Sequence, residues 1–142
     1  MDAKFDAKQF MIDNAAADLK PFIGKSQLAV MVQSCKGEEG DWFITRMVEL
    51  AAEILAMPKT YEQDGKGDAA CAYLHYFKGS ADWYITERDM EPKQHQAFGL
   101  ANLGHGDELG YISITELCAA GVELDLHFTP NSIGNIRQRK AA

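Results

Sequence analysis

The sequence is short of cysteine, of basic residues and of long apolar runs, and each shortage excludes a class of protein. Cys35, Cys71 and Cys118 are odd in number and far apart, so neither a disulfide framework nor a CxxC zinc site is indicated. They read instead as small, reduced, mostly buried residues. No apolar run approaches the roughly 20 residues of a membrane-spanning helix. The opening MDAKFDAKQF is too charged for the core of a signal peptide, so a cytoplasmic protein is expected. Fourteen Lys and Arg stand against 21 Asp and Glu, a net charge of −7. Arg137, Arg139 and Lys140 lie in the closing NIRQRKAA, which leaves 11 basic residues among the first 134. An acidic body of this kind repels phosphate backbones and is not expected to bind nucleic acid directly. The basic end reads as a solvated tail, 131–142, rather than a DNA-binding arm.

Catalytic and metal-binding signatures are also missing. FIGKS around Gly24 ends like a phosphate loop, but Leu19 stands where the first glycine would be required, and no strand precedes it. His75, His95, His105 and His127 have no HxxxH or HExxH spacing. There is no GxSxG, and no Cys–His pair close in sequence nominates a nucleophile. The acidic run 61–68 lacks the length and terminal Glu of an EF-hand loop. No cofactor and no metal site is therefore predicted.

What is present is an ordinary globular composition, 46% hydrophobic and 25% charged, of a length suited to one domain over residues 1–142. The first 58 residues carry helical periodicity. Phe5, Phe10, Met11, Ala15 and Leu19 recur at helical spacing before Lys20-Pro21 stops the run. A second helix is expected from a Ser26 cap towards Gly37, and a third from about Glu38 to Met57. In the third, Phe43, Met47, Leu50, Ala51 and Ile54 form one stripe, with Pro58 just past its end. TYEQDGKGD is a turn-rich boundary.

From Ala69 to Pro130 the period is two. CAYLHYF and DWYITER predict a hairpin across KGSA, and QAFGLANL and ELGYIS a second across GHGD, whose glycines supply positive φ. Ser113 to Glu116 is a capping-box pattern opening a short helix that ends at Gly121. VELDLHF then closes the sheet, with Val122, Leu124, Leu126 and Phe128 on one side and Glu123, Asp125 and His127 on the other. The fold class expected is α+β, with N-terminal helices packed on one face of an antiparallel sheet formed by the C-terminal half. Asp-Trp-aromatic-Ile-Thr occurs at both 41–45 and 82–86. One copy falls in a helix and the other in a strand, so the echo is a coincidence.

If Phe77 opposes Asp82 in the first hairpin, His75 opposes Tyr84 and Tyr73 opposes Thr86. Ala72, Leu74, Tyr76, Trp83 and Ile85 then form the core face. Tyr73, His75, Phe77, Asp82, Tyr84, Thr86 and Arg88 share the other face, which Glu123, Asp125 and His127 join if the last strand lies in the same sheet. The candidate binding residues are therefore Tyr73, His75, Asp82, Tyr84, Arg88, Glu123, Asp125 and His127. The plainer reading of that surface is an outer sheet face whose aromatics pair across strands.

The segment from Met57 to Pro130, with its WYITE, FGL and ELGYISITEL blocks, resembles a family of small bacterial proteins designated domain of unknown function 2958. The resemblance implies the fold and a mobile-element setting, plasmid or phage-derived, and carries no catalytic residue set. In that setting a small acidic protein is expected to bind a protein partner such as a host restriction or CRISPR-type complex. Asp82, Glu87, Glu123 and Asp125 would be its contacts and Tyr73, Tyr84 and Trp83 its anchors. Two alternatives stand beside this expectation. One is a small enzyme using His75 or His127 with Asp82 or Asp125 as an acid–base site. The other is a structural subunit that self-associates, for instance as a homodimer.

Overall fold

A computed structural model of the chain describes residues 4–141. Three helices come first: α1 (Ala7–Leu19), α2 (Lys25–Ser34) and α3 (Gly40–Ala56). A short 3-10 turn at Gly67–Ala69 leads to β1 (Cys71–Ala72), β2 (Leu74–Lys78), β3 (Ala81–Glu87), β4 (Ala97–Asn102) and β5 (Asp107–Ile112). Then follow α4 (Ile114–Ala119), β6 (Glu123–Leu124), β7 (Asn131–Ser132) and α5 (Ile133–Ala141). β5-β4-β3-β2-β6 form one antiparallel sheet, and β1 pairs with β7 in a small second one. The architecture is α+β as the change of period predicts.

The helices pack on one face of the large sheet. Ile12, Leu19, Met31, Met47, Leu50 and Ile54 share a core with Leu74, Tyr76, Ile85 and Leu124. The stripe of α3 is as expected except that Ile44 is buried in place of Phe43, which lies at the margin. On α1 the buried stripe is Ile12, Ala15 and Leu19, while Phe5, Phe10 and Met11 are exposed. Gly24, not Ser26, caps α2, and no side chain bonds the free amides there. Ser113 caps α4 as expected, accepting from the Glu116 amide at 3.2 Å.

The β2–β3 register matches the sequence reading, with Phe77 opposite Asp82 and His75 opposite Tyr84. Its strand faces hold from Leu74 onward only. Position 73 separates β1 from β2, so Ala72 belongs to a different apolar cluster from Leu74. That cluster covers the second sheet face: Ala70, Ala72, Tyr84 and Leu100 meet Ile133 and Ile136 of α5, with Phe128 packed alongside. The expected tail is thus strand β7 and a helix that packs through Ile133 and Ile136, and of its residues only Ala142 lies outside the described ones. Two isoleucines three residues apart supply its buried face. The last strand is shorter than expected. β6 ends at Leu124, the chain turns with the Phe128 amide donating to the Asp125 carbonyl (3.4 Å), and Phe128 lies on the opposite side from Leu124.

Gly99 is imposed by close packing. A Cβ there would stand 1.9 Å from the Tyr84 carbonyl oxygen, beside the register shift between Ile85 and Glu87.

Candidate functional site

The polar cluster on the second sheet face is built around His75. β2 carries His75, the adjacent strand carries Asp82 and Tyr84, and the turn after β6 carries Asp125. The Asp125 amide donates to the His75 carbonyl at 2.8 Å, extending the β2–β6 pairing by one bond. The helical layer fixes this segment from both sides. Gln27 of α2 makes two bonds to the backbone of Leu124, at 2.8 and 2.9 Å. Arg46 of α3 donates to the Leu126 carbonyl at 2.6 Å and also meets Glu53. Asp125 therefore sits between two anchored neighbours. Its Oδ1 accepts from the His127 amide at 2.9 Å, which leaves Oδ2 to meet His75 Nδ1 at 3.0 Å.

On the other side of the ring, His75 Nε2 lies 2.7 Å from Asp82 Oδ1. The imidazole stacks on Tyr84, with centroids 4.5 Å apart and planes 7° from parallel, and Phe128 closes the edge at 5.7 Å. Burial raises the Tyr84 hydroxyl above its usual pKa, as do the charges of Asp82 and Asp125, with Arg139 opposing them. A neutral imidazole has one N–H and satisfies one carboxylate; a ring facing two of them needs both nitrogens protonated, or a proton on one carboxyl. In an acid–base site the nitrogen opposite the orienting carboxylate is free to take a proton. Here that nitrogen is already occupied.

Four of the predicted site residues are thus brought together: His75, Asp82, Tyr84 and Asp125. The other four are elsewhere. Tyr73 packs against the helical core. Arg88 turns to the end of α3, donating to the Ile54 carbonyl at 2.9 Å. Glu123 pairs with Phe77 and is exposed, and His127 leaves the cluster to lie against Trp42 at 5.2 Å. The face is also not open, because α5 and Phe128 cover much of it.

A second polar site was not visible in the sequence. A cavity of about 240 Å³ lies between the 60–67 turn and the far end of the sheet, lined by Tyr61, Gln63, Glu87, Phe98, Leu109 and Tyr111 among others. Glu87, expected on an acidic surface, is 4% exposed. β3 is central, so both of its faces are covered at that end and alternation no longer separates inside from outside. Gln63 secures the turn above it, exchanging bonds of 2.8 Å with the Cys71 backbone in both directions and donating to the Thr86 carbonyl at 2.7 Å.

Fold and sites together define a small α+β protein whose antiparallel sheet is held between an N-terminal helical layer and a C-terminal helix. The chain belongs to the family described as protein of unknown function (DUF2958), whose sequence model matches residues 44–133, from α3 to the start of α5. No curated protein and no solved structure matches it. Among the described residues, no helix is long and apolar enough to cross a membrane, and no three His, Cys, Asp or Glu side chains converge in a metal-binding group.

Proposed function

We propose that this protein is a non-enzymatic binding module for a protein partner, engaged through its helical layer. The observation that carries this reading is the apolar surface left facing solvent between α1 and α3. Phe10 is 55% exposed, Met11 43% and Leu55 61%, and these three line one groove of about 270 Å³ with Val48 and Ala52. Phe5 extends the surface, its ring 5.4 Å from that of Phe10. Contiguous exposed apolar surface of this kind is characteristic of contact sites. Asp18 is the charged residue in the groove lining, and the whole molecule is acidic. The partner segment is therefore apolar with basic flanks, and its association is accelerated at low salt.

The occupied nitrogens of His75 weigh against the acid–base alternative. In the finer form of the reading the partner is a host restriction or CRISPR-type defence complex, whose nucleic-acid channels are basic. That form rests on the mobile-element setting implied by the family resemblance.

The test is affinity capture from host lysate after nuclease treatment, comparing the wild-type protein with Phe10→Asp and Leu55→Asp. A stoichiometric partner held by the wild type and lost in both variants supports the reading. Capture unchanged by both substitutions overturns it. A second copy of the chain as the sole partner moves the assignment to a self-associating subunit.

A further inference from the structure

Glu87 is a carboxylate buried without a counter-charge. Among the described residues none of the ion pairs includes it. Its partners are neutral and incomplete. The Gln63 backbone N–H donates to Oε1 at 3.4 Å, a long bond, and the Thr86 hydroxyl approaches Oε2 at 3.1 Å. That hydroxyl stands equally 3.1 Å from the Phe98 carbonyl, and its single proton serves one acceptor at a time. An ionised carboxylate removed from water needs more than this.

The cavity that Glu87 lines has aromatic walls. The Tyr61 and Tyr111 hydroxyls are 2.9 Å apart, and Tyr111 meets Phe98 edge to face at 5.6 Å. Tyr61 is held at φ 81°, in the left-handed region that a bulky residue avoids. Backbone strain of this kind gathers at ligand sites. The Tyr111 hydroxyl lies above its usual pKa, chiefly through its bond with Tyr61 and then through desolvation, with smaller contributions from the charges of Tyr61, Asp64 and Glu87. A cation at the mouth would therefore meet negative charge from the floor and the rim, with π faces beside it.

We propose that this cavity binds an alkylammonium or guanidinium group, with Glu87 as its counter-charge and Tyr61, Tyr111 and Phe98 as its walls. The group belongs either to a free small amine or to a Lys or Arg side chain of a peptide. The site stands apart from the α1–α3 groove and does not depend on it.

The test is titration of the full chain, followed by amide chemical shifts and by calorimetry. Butylammonium and butylguanidinium represent the free source, and Nα-acetyl-lysine amide and Nα-acetyl-arginine amide the peptide source. Butylurea is the neutral match for butylguanidinium. Saturable shifts around 60–67, 86–87 and 109–111 are expected with at least one cation and not with butylurea. Glu87→Gln should weaken that binding at least about tenfold. Tyr111→Ala, at an exposed position, should weaken it as well, and it carries the test if Glu87→Gln does not fold. Binding of the free amines alone assigns a metabolite source, and binding of the blocked amino acids assigns a peptide source. The proposal is overturned if no cation binds at millimolar concentration, if butylurea binds equally well, or if the folded variants bind like the wild type.

Discussion

At His75 the two carboxylates are 2.7 and 3.0 Å from opposite nitrogens, and the three side chains are 14–28% exposed. The imidazole held between two carboxyl groups ties the turn after β6 to the β2–β3 hairpin, linking segments fifty residues apart in the chain. Removing the ring takes away the one group that Asp82 and Asp125 both meet and opens a gap between them. His75→Ala is expected to lower stability by about 1–3 kcal/mol, below the cost of breaking a fully buried pair because solvent reaches all three groups. Urea denaturation measures it. A shift in midpoint worth less than about 0.5 kcal/mol would show that water replaces the ring and that the cluster adds no cohesion. The assembly was legible up to a point: the hairpin register placed His75 beside Tyr84 and near Asp82, and alternation in VELDLHF placed Asp125. Tyr73, Arg88 and His127 were misassigned because extrapolating the same alternation ignores where β2, β3 and β6 end.

Among the elements, the hairpins could be read because each joins two short strand-like runs across a turn closed by glycine, Gly79 at φ 59° and Gly104 and Gly106 at φ 103° and 106°. Helix α5 could not. Its apolar content is two isoleucines in a basic stretch, and what makes it a packed element is the surface it meets, Tyr84 and Leu100 on the sheet and Ala70 and Ala72 beside it. The face of α1 was ambiguous for the opposite reason. Phe10 and Met11 are as apolar as Ile12 and Ala15, and only the position of α3 decides which set is buried. The Glu87 cavity was hidden because it joins residues from a turn and three strands, and no local pattern marks a strand covered on both faces. The importance of α5 is testable. Ile133 is fully buried, and Ile133→Ala is expected to cost about 2–4 kcal/mol, read from the urea midpoint. Loosening of α5 should also uncover Tyr84, visible as increased tyrosine exposure in ultraviolet difference spectra. A loss under 1 kcal/mol would mean that α5 lies on the sheet without stabilising it.

For the molecule as a whole, protons on buried acids link folding to alkaline pH. Tyr76 is fully buried between helices and sheet, its hydroxyl donating to the Phe22 carbonyl at 2.6 Å, and burial holds its pKa well above 10. Burial raises the Cys118 thiol from 9.0 to about 11. It also raises Tyr84, more modestly. Below the unfolded values both states keep these protons and the associated stability is fully present. As pH rises past about 9, the unfolded chain releases its protons first, so the folded state binds more of them and stability falls with pH. Cys118 accounts for about 1–2 kcal/mol of that fall once its partial exposure is allowed for, and it is spent by about pH 11. The Tyr76 contribution continues beyond that. The urea midpoint should therefore decline from pH 9 to 11, and Cys118→Ala should flatten the first part of the decline. Tyr76→Phe behaves differently: it is destabilised at pH 7 by roughly 1–3 kcal/mol, because the buried Phe22 carbonyl loses its donor, yet it is less sensitive at the alkaline end. A wild-type midpoint constant from pH 9 to 11 would refute this linkage. It would mean that Tyr76 and Cys118 keep no more hold on their protons in the folded chain than in the unfolded one.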